Sequence, residues 1–210
     1  MSIKFYYVRH GRTEFNEEKR LQGYLDSPLT KEGREDAIKA RDALKTIPFT
    51  KAFSSSSDRA KVTGEIILED HPEVPLIPLD GLKEFDFGVM DGECMDDPRW
   101  RKEMDKRKIS ESWKDLGGDD RKSMQFRIKS TLKSILGMCE DGDVVLLVGH
   151  AAYAMHMLEP LFGIDDKQYR KQVKEEGKAT FPNGGIMVFE YDGVDYKMIS
   201  LPIPASKFEA

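Results

Sequence analysis

The chain has 210 residues, of which 39% are hydrophobic and 34% charged, with two cysteines and a formal net charge of −5. A chain of this length buries roughly 70% of the surface its unfolded form exposes, enough for a core without staples, and its composition excludes a disordered chain, a collagen-like repeat and a small disulfide scaffold. The acidic balance argues against a broadly nucleic-acid-binding surface, and the longest purely apolar run, Val144 to Val148, falls far short of the roughly 20 residues that span a bilayer.

Residues 3–8 are a β-branched and aromatic run, read as a strand of the mature fold because no basic segment followed by a long apolar one precedes it. Cys94 and Cys139 make neither a disulfide framework nor a zinc set, so the expected setting is cytoplasmic and reduced. Thr30 is placed to cap a helix in which Ala37, Ile38, Arg41 and Leu44 recur at helical spacing until Pro48. A strand follows at 51–53, closed by Ser54 to Ser57, which also supply a helix cap. The spacing predicts a helix over 58–69 with Ala60, Val62, Thr63, Ile66 and Ile67 inward, and Val74 to Ile77 reads as a strand.

Residues 93–118 are charged, contain Trp100 and Trp113, and show no strand pattern, which suits an insertion or lid. Asp119 or Asp120 is placed to cap a long helix to about Met138, with Phe126, Ile128, Leu132, Ile135 and Leu136 buried. Val144 to Val148 has the continuous apolar character of a central parallel strand, and Ala151 to Leu161 reads as a helix. Ile186 to Tyr191 and Tyr196 to Leu201 flank Asp192-Gly193-Val194-Asp195 as a hairpin. The last nine residues, with Pro202 and Pro204, are expected to pack loosely. Strand and helix mostly alternate, so the class is α/β with a largely parallel sheet.

In open α/β sheets ligands sit beyond the carboxyl ends of the strands. His10 and His150 each follow an apolar strand immediately. If those strands are central neighbours, the two imidazoles meet although 140 positions separate them.

The residues around these histidines carry a resemblance. Arg9-His10-Gly11-Arg12-Thr13, followed by Glu14-Phe15-Asn16, Gln22-Gly23 and Asp26-Ser27-Pro28-Leu29-Thr30, resembles the opening of the histidine phosphatase superfamily, the phosphoglycerate mutase-like family. Ser54-Ser55 through Asp58-Arg59-Ala60 and Thr63, then Glu84-Phe85 with Phe87-Gly88 and Asp91-Gly92, then Val148-Gly149-His150, are similar to its later signatures in the family's order. The resemblance implies a phosphoglycerate mutase-like three-layer sandwich, a mostly parallel sheet flanked by helices. The expected organisation is one domain over residues 1–205, with the insertion at about 93–118 and a tail at 206–210.

The chemistry implied by the resemblance suits these residue types. Guanidinium forks match phosphoryl oxygens, a role assigned to Arg9 and Arg59; nearby cations keep His10 neutral and nucleophilic. His10 then attacks phosphorus and becomes phosphohistidine, while His150 holds the phosphoryl oxygens. Glu84 matches the family's acid, protonating the leaving oxygen and later activating water. Asn16, Gln22, Gly23 and Ala151 are the further candidates for phosphate or substrate contact. No metal and no cofactor is implied. The expected partner is a small phosphorylated substrate, with no nucleic acid and no membrane, and the protein a monomer or homodimer.

Each role has a plainer competitor. The plainer reading of Arg9 and Arg59 is as surface ion-pair partners, of Asn16 as a turn residue, and of Gln22 and Gly23 as loop shapers. Asp86, two residues from Glu84, is an alternative proton donor. His71 and His156 read as structural, Trp100 and Trp113 as packing for the insertion. The run Arg99-Trp100-Arg101-Lys102 with Lys106-Arg107-Lys108 reads as a solvated face, or as a binding surface for an anionic substrate tail. Ala151 departs from the family's common Gly, Arg12 from its common acidic residue, and Gly117-Gly118-Asp119-Asp120 from the Gly-Gly-Glu-Ser of several phosphatases. Mutases of the family share Asn-Glu-Arg-His-Tyr-Gly around the acid, where this chain has Lys83-Glu84-Phe85-Asp86-Phe87-Gly88. Three activities therefore remain open: a phosphomonoesterase, which these residues favour, a phosphoglycerate mutase, and a non-catalytic phosphate-binding protein.

Overall fold

The computed structural model describes residues 1–209, without the side chains of residues 108–110. In chain order the elements are β1 (Ile3–Arg9), α1 (Glu14–Glu17), α2 (Lys31–Leu44), β2 (Lys51–Ser55), α3 (Asp58–Ile67), β3 (Leu76–Leu79), α4 (Pro98–Ser110), α5 (Arg121–Leu136), β4 (Val144–Gly149), α6 (Ala151–Phe162), α7 (Asp166–Glu175), β5 (Ile186–Tyr191) and β6 (Tyr196–Ile203). Six strands form one sheet in the order β3-β2-β4-β1-β5-β6. The first four are mutually parallel; β5 runs antiparallel to β1 and β6 antiparallel to β5.

Successive residues of β1 point to opposite faces, and each face is covered by helices. Phe5 and Tyr7 join Phe53, Val145, Leu147 and Phe189 in a core with Ile128, Leu132 and Ile135 of α5 and Tyr153 and Met157 of α6. Tyr6 and Val8 join Ala52, Leu146, Val148 and Val188 against Ala40 and Leu44 of α2 and Ala60 and Ile67 of α3. The result is a three-layer α/β/α sandwich, the expected class. β1 and β4 are buried on both faces, which accounts for their unbroken apolar runs.

The β1–β4 register pairs Val8 with Val148 and Arg9 with Gly149. His10 and His150 therefore leave adjacent strands at the same height. Tyr7 fixes this end: its hydroxyl accepts the His150 N–H at 2.7 Å and donates to the His150 carbonyl at 2.9 Å. A Cβ on Gly149 would lie 2.3 Å from that hydroxyl oxygen, so only glycine fits over the fully buried Tyr7 ring.

Several sequence expectations are corrected. Phe126 is exposed, and Met124 takes the inward position, because the buried stripe of α5 runs Met124, Ile128, Leu132, Ile135; Leu136 is only half-buried. Ile38 is likewise exposed, since small residues, Gly33, Ala37 and Ala40, let α2 approach the sheet; Val62 is half-buried. The third strand lies two residues later than expected, at Leu76–Leu79, with Val74 buried in the preceding turn. Ser57 stands at the N-cap of α3 without a side-chain cap bond, its N–H donating instead to Ser55 Oγ.

Residues 93–118 are not irregular throughout: Asp97 caps the Arg99 N–H, Pro98 occupies the first turn, and α4 follows. Arg107 is buried rather than solvated, bonded to Glu103, Asp115 and the Ser112 carbonyl; the Lys108 side chain lies outside the described residues. The C-terminal residues do not pack loosely. Strand β6 runs to Ile203, Ala205 is buried, and Phe208 meets Tyr6 edge-on at 6.1 Å; Ala210 lies outside the described residues. α1 and α7 had no sequence counterpart: α1 is a single turn, and α7 carries one buried apolar residue, Val173.

Among the described residues no helix is long and apolar enough to cross a membrane. Because Tyr7 has no room to yield, Gly149→Ala is expected to cost about 1–3 kcal/mol, seen as a lower urea midpoint at unchanged slope.

Candidate active site

His10 is nine-tenths buried at the end of β1. Its Nδ1 lies 2.7 Å from the Gly11 carbonyl oxygen. A carbonyl only accepts, so Nδ1 carries the proton and Nε2 the lone pair. Gly11 is held by its N–H donating to Thr63 Oγ1 at 3.1 Å, and a Cβ there would strike the Gly33 carbonyl. The Asn183 side chain donates to the His10 carbonyl at 3.1 Å.

The His150 ring is fully buried, 5.2 Å from the His10 ring centroid to centroid, and neither of its nitrogens has a hydrogen-bond partner. Arg9 and Arg59 are similar: Arg9 donates from Nη1 to the Phe181 carbonyl at 2.6 Å, and Arg59 donates to Leu25, Asp26 and Gly23, yet each keeps a buried, unpartnered Nε. Arg59 is thus buried and Arg9 half-buried with its guanidinium on a backbone carbonyl, so neither is an exposed ion-pair residue, although Arg59 does bridge to Asp26 at 2.9 Å.

Burial, then the charge of Arg59 and that of Arg9, holds the His10 pKa well below the usual imidazole value; burial, Arg59, His10 and Arg9 do the same for His150. Burial also pulls Arg9 down to about 10, opposed most by Glu84. The imidazoles are thus neutral and the guanidiniums charged near neutral pH.

Glu84 follows a short 3-10 turn after β3 and meets the start of α6. Its Oε1 accepts the Phe85 and Tyr153 N–H groups at 2.9 and 2.7 Å, and its Oε2 accepts the Ala152 N–H at 3.0 Å, so the positive end of the helix faces the carboxylate. Asp86 instead folds back onto the Gly88 N–H at 2.8 Å.

A cleft of about 260 Å³ opens over His10, and its walls include Arg9, Asn16, Gln22, Glu84 and Ala151. Gly23, Arg59, Asp86 and His150 are not among those walls. Gly23 lies behind them, its carbonyl accepting from Arg59 and its N–H donating to Asp91. Asn16 is braced by Asn183 and Gln22 by Thr13 and Ser27. Among the described residues no group of three or more His, Cys, Asp or Glu could hold a metal ion.

The family described as the histidine phosphatase superfamily, branch 1, matches this chain over residues 5–201. The chain belongs to that superfamily. A protein of Salmonella paratyphi A named "Probable phosphoglycerate mutase GpmB" is 31% identical over 170 residues, covering 77% of this chain and 76% of its own. The structure of Bacillus stearothermophilus YhfR superposes with a TM-score of 0.78 at 22% identity, covering 99% of this chain and 98% of its own. Phosphoserine phosphatase from Entamoeba histolytica in complex with 3-phosphoglyceric acid superposes at 0.76 and 23% identity, covering 96% and 97%. At these identities the structural likenesses establish the fold.

The first and third signature segments line this cleft; His150 of the fourth lies against the His10 ring, and Arg59 of the second acts on His10 through its charge. Sequence reading missed Arg20, Phe87, Met95, Arg170 and Thr180, which also line it, and Asn183, which braces it. Arg170 lies on α7, whose start is signalled only by Asp165, its side chain capping the Lys167 and Gln168 N–H groups. His71 and His156 are buried as expected, His71 against the Phe49 ring at 5.1 Å.

His10 and His150 bind protons less readily folded than unfolded. Their contribution to stability is therefore complete above the unfolded value of about 6.5 and lost as pH falls below it. His150→Gln is expected to flatten the decline below pH 6.5, by at most about 1.4 kcal/mol per pH unit, measured by urea unfolding at each pH.

Proposed function

We propose that the protein is a metal-independent phosphomonoesterase acting on a small phosphorylated metabolite through a phosphohistidine on His10. The observation that carries this reading is the fixed tautomer of His10: its Nε2 lone pair is free for attack while Glu84 lines the same cleft. The unpartnered nitrogens of Arg9, Arg59 and His150 suit the three peripheral oxygens of a phosphoryl group.

In the first step Nε2 of His10 attacks phosphorus, the P–N bond forms and the P–O bond to the leaving group breaks. Glu84 serves as the general acid and passes a proton to the departing oxygen. In the second step a water molecule attacks the phosphohistidine, Glu84 takes its proton, the P–N bond breaks and inorganic phosphate leaves. Arg9 and Arg59 balance the charge in both steps. The Gly11 carbonyl takes up the Nδ1 proton's bond throughout, so the ring does not need to reorient.

A second reading, phosphoglycerate mutase, is favoured by the name of the curated relative. It requires phosphoryl return to a second hydroxyl and exclusion of water. The segment Lys83 to Gly88 lacks the Arg-His-Tyr that the resemblance associates with mutases, which supports hydrolysis.

Purified protein is expected to release phosphate from p-nitrophenyl phosphate in EDTA. Silence there, with interconversion of 3- and 2-phosphoglycerate in the presence of 2,3-bisphosphoglycerate, would establish the mutase instead. His10→Ala is expected to abolish turnover while leaving circular dichroism and the urea midpoint near wild type. Glu84→Gln is expected to slow alkyl phosphates by roughly 10²–10⁴-fold and nitrophenyl phosphate far less; equal slowing of both would remove Glu84 from the role of acid.

A further inference from the structure

A second cavity, about 550 Å³, adjoins the cleft and shares Phe87, Ala152 and Arg170 with it. Its walls are aromatic. Phe85 packs against Trp113 at 5.2 Å and His156 at 5.4 Å, and Phe87 meets Trp113 at 5.4 Å.

Two polar atoms in this wall have no partner: Nε1 of Trp113 and Nε2 of His156, on side chains more than nine-tenths buried. Their roles are opposite. The indole only donates. His156 Nδ1 lies 2.7 Å from the Ala152 carbonyl, so it carries the proton and Nε2 accepts. The cations of the rim already face carboxylates: Arg107 holds Glu103 and Asp115, Lys167 lies 3.4 Å from Glu111, and Arg170 lies 3.3 Å from Asp166. Nothing here calls for a second phosphate; the wall calls for a flat ring with one hydroxyl-like edge.

Ala152 ties this cavity to the chemistry. Its N–H donates to Glu84 Oε2 and its carbonyl accepts from His156. Ala152 thus lines both the cavity and the cleft and holds the carboxylate that lines the cleft.

We infer that this cavity is the leaving-group site, and that the enzyme prefers phosphate esters of alcohols bearing an aromatic ring with a donor–acceptor edge. The inference rests on the phosphatase reading. The test compares kcat/KM for ethyl, 2-phenylethyl and 2-(4-hydroxyphenyl)ethyl phosphate, all esters of primary alcohols, so leaving-group chemistry is matched.

The phenylethyl ester is expected to exceed the ethyl ester by roughly tenfold or more, and the hydroxyl to add about fivefold by meeting both Trp113 and His156. Trp113→Phe, which keeps a ring, and His156→Phe should each erase most of the hydroxyl increment; variants that merely disturb the fold lower all three rates and leave the ratios intact. Equal kcat/KM for the three esters, or unchanged ratios in both variants, would overturn the inference. Absence of turnover on all three, with p-nitrophenyl phosphate also untouched, would overturn the phosphatase reading and the inference with it.

Discussion

The parallel pairing of β1 with β4 is the constraint on which the site depends. Two strands far apart in sequence are locked in a register that sets Arg9 opposite Gly149, and the next residue of each is a histidine. Tyr7 secures the junction by bonding both the N–H and the carbonyl of His150 from beneath. Glycine at 149 is what lets that ring pass. The buried strand interior supplies rigidity, and the chain beyond it supplies the functional groups.

Burial and charge act together around this junction. Desolvation and two guanidiniums keep both imidazoles neutral, while backbone carbonyls at Phe181, Gly23 and Leu25 compensate part of the cost of burying Arg9 and Arg59. The start of α6 directs two N–H groups at Glu84 and so sets that carboxylate beside His10. Arg9 and Glu84 therefore line one cleft without pairing directly with each other, the arrangement on which the proposed phosphoryl transfer draws.

The charged stretch that precedes α5 acquires order from ion pairs as much as from apolar contact. Arg107 gathers Glu103 and Asp115, and Arg121 at the start of α5 joins Glu111, Glu159 and Asp166. These links connect α4, α6 and α7 around the aromatic cavity, with Trp113 packed on Phe85 and Phe87. The same residues that made this segment look merely hydrophilic in sequence are its fastenings.

By itself the sequence determined the α/β class, the central strands and the family, and it named Arg9, His10, Glu84 and His150 as candidates for one site. Those features are written locally: apolar runs, capping residues such as Thr30 and Asp120, and short motifs at strand ends. It did not determine which face of α5 is inward, so Phe126 was misplaced for Met124, because the stripe is chosen by the sheet it packs against. It did not reveal α7 or Arg170, since a helix with one buried apolar residue has almost no periodicity to read. Tertiary structure alone decided that Glu84 and not Asp86 faces the cleft, and that Phe85, Trp113 and His156 enclose a cavity beside it. Such neighbourhoods arise from long-range packing, where residues 26 to 71 positions apart come into contact and no local pattern records the meeting.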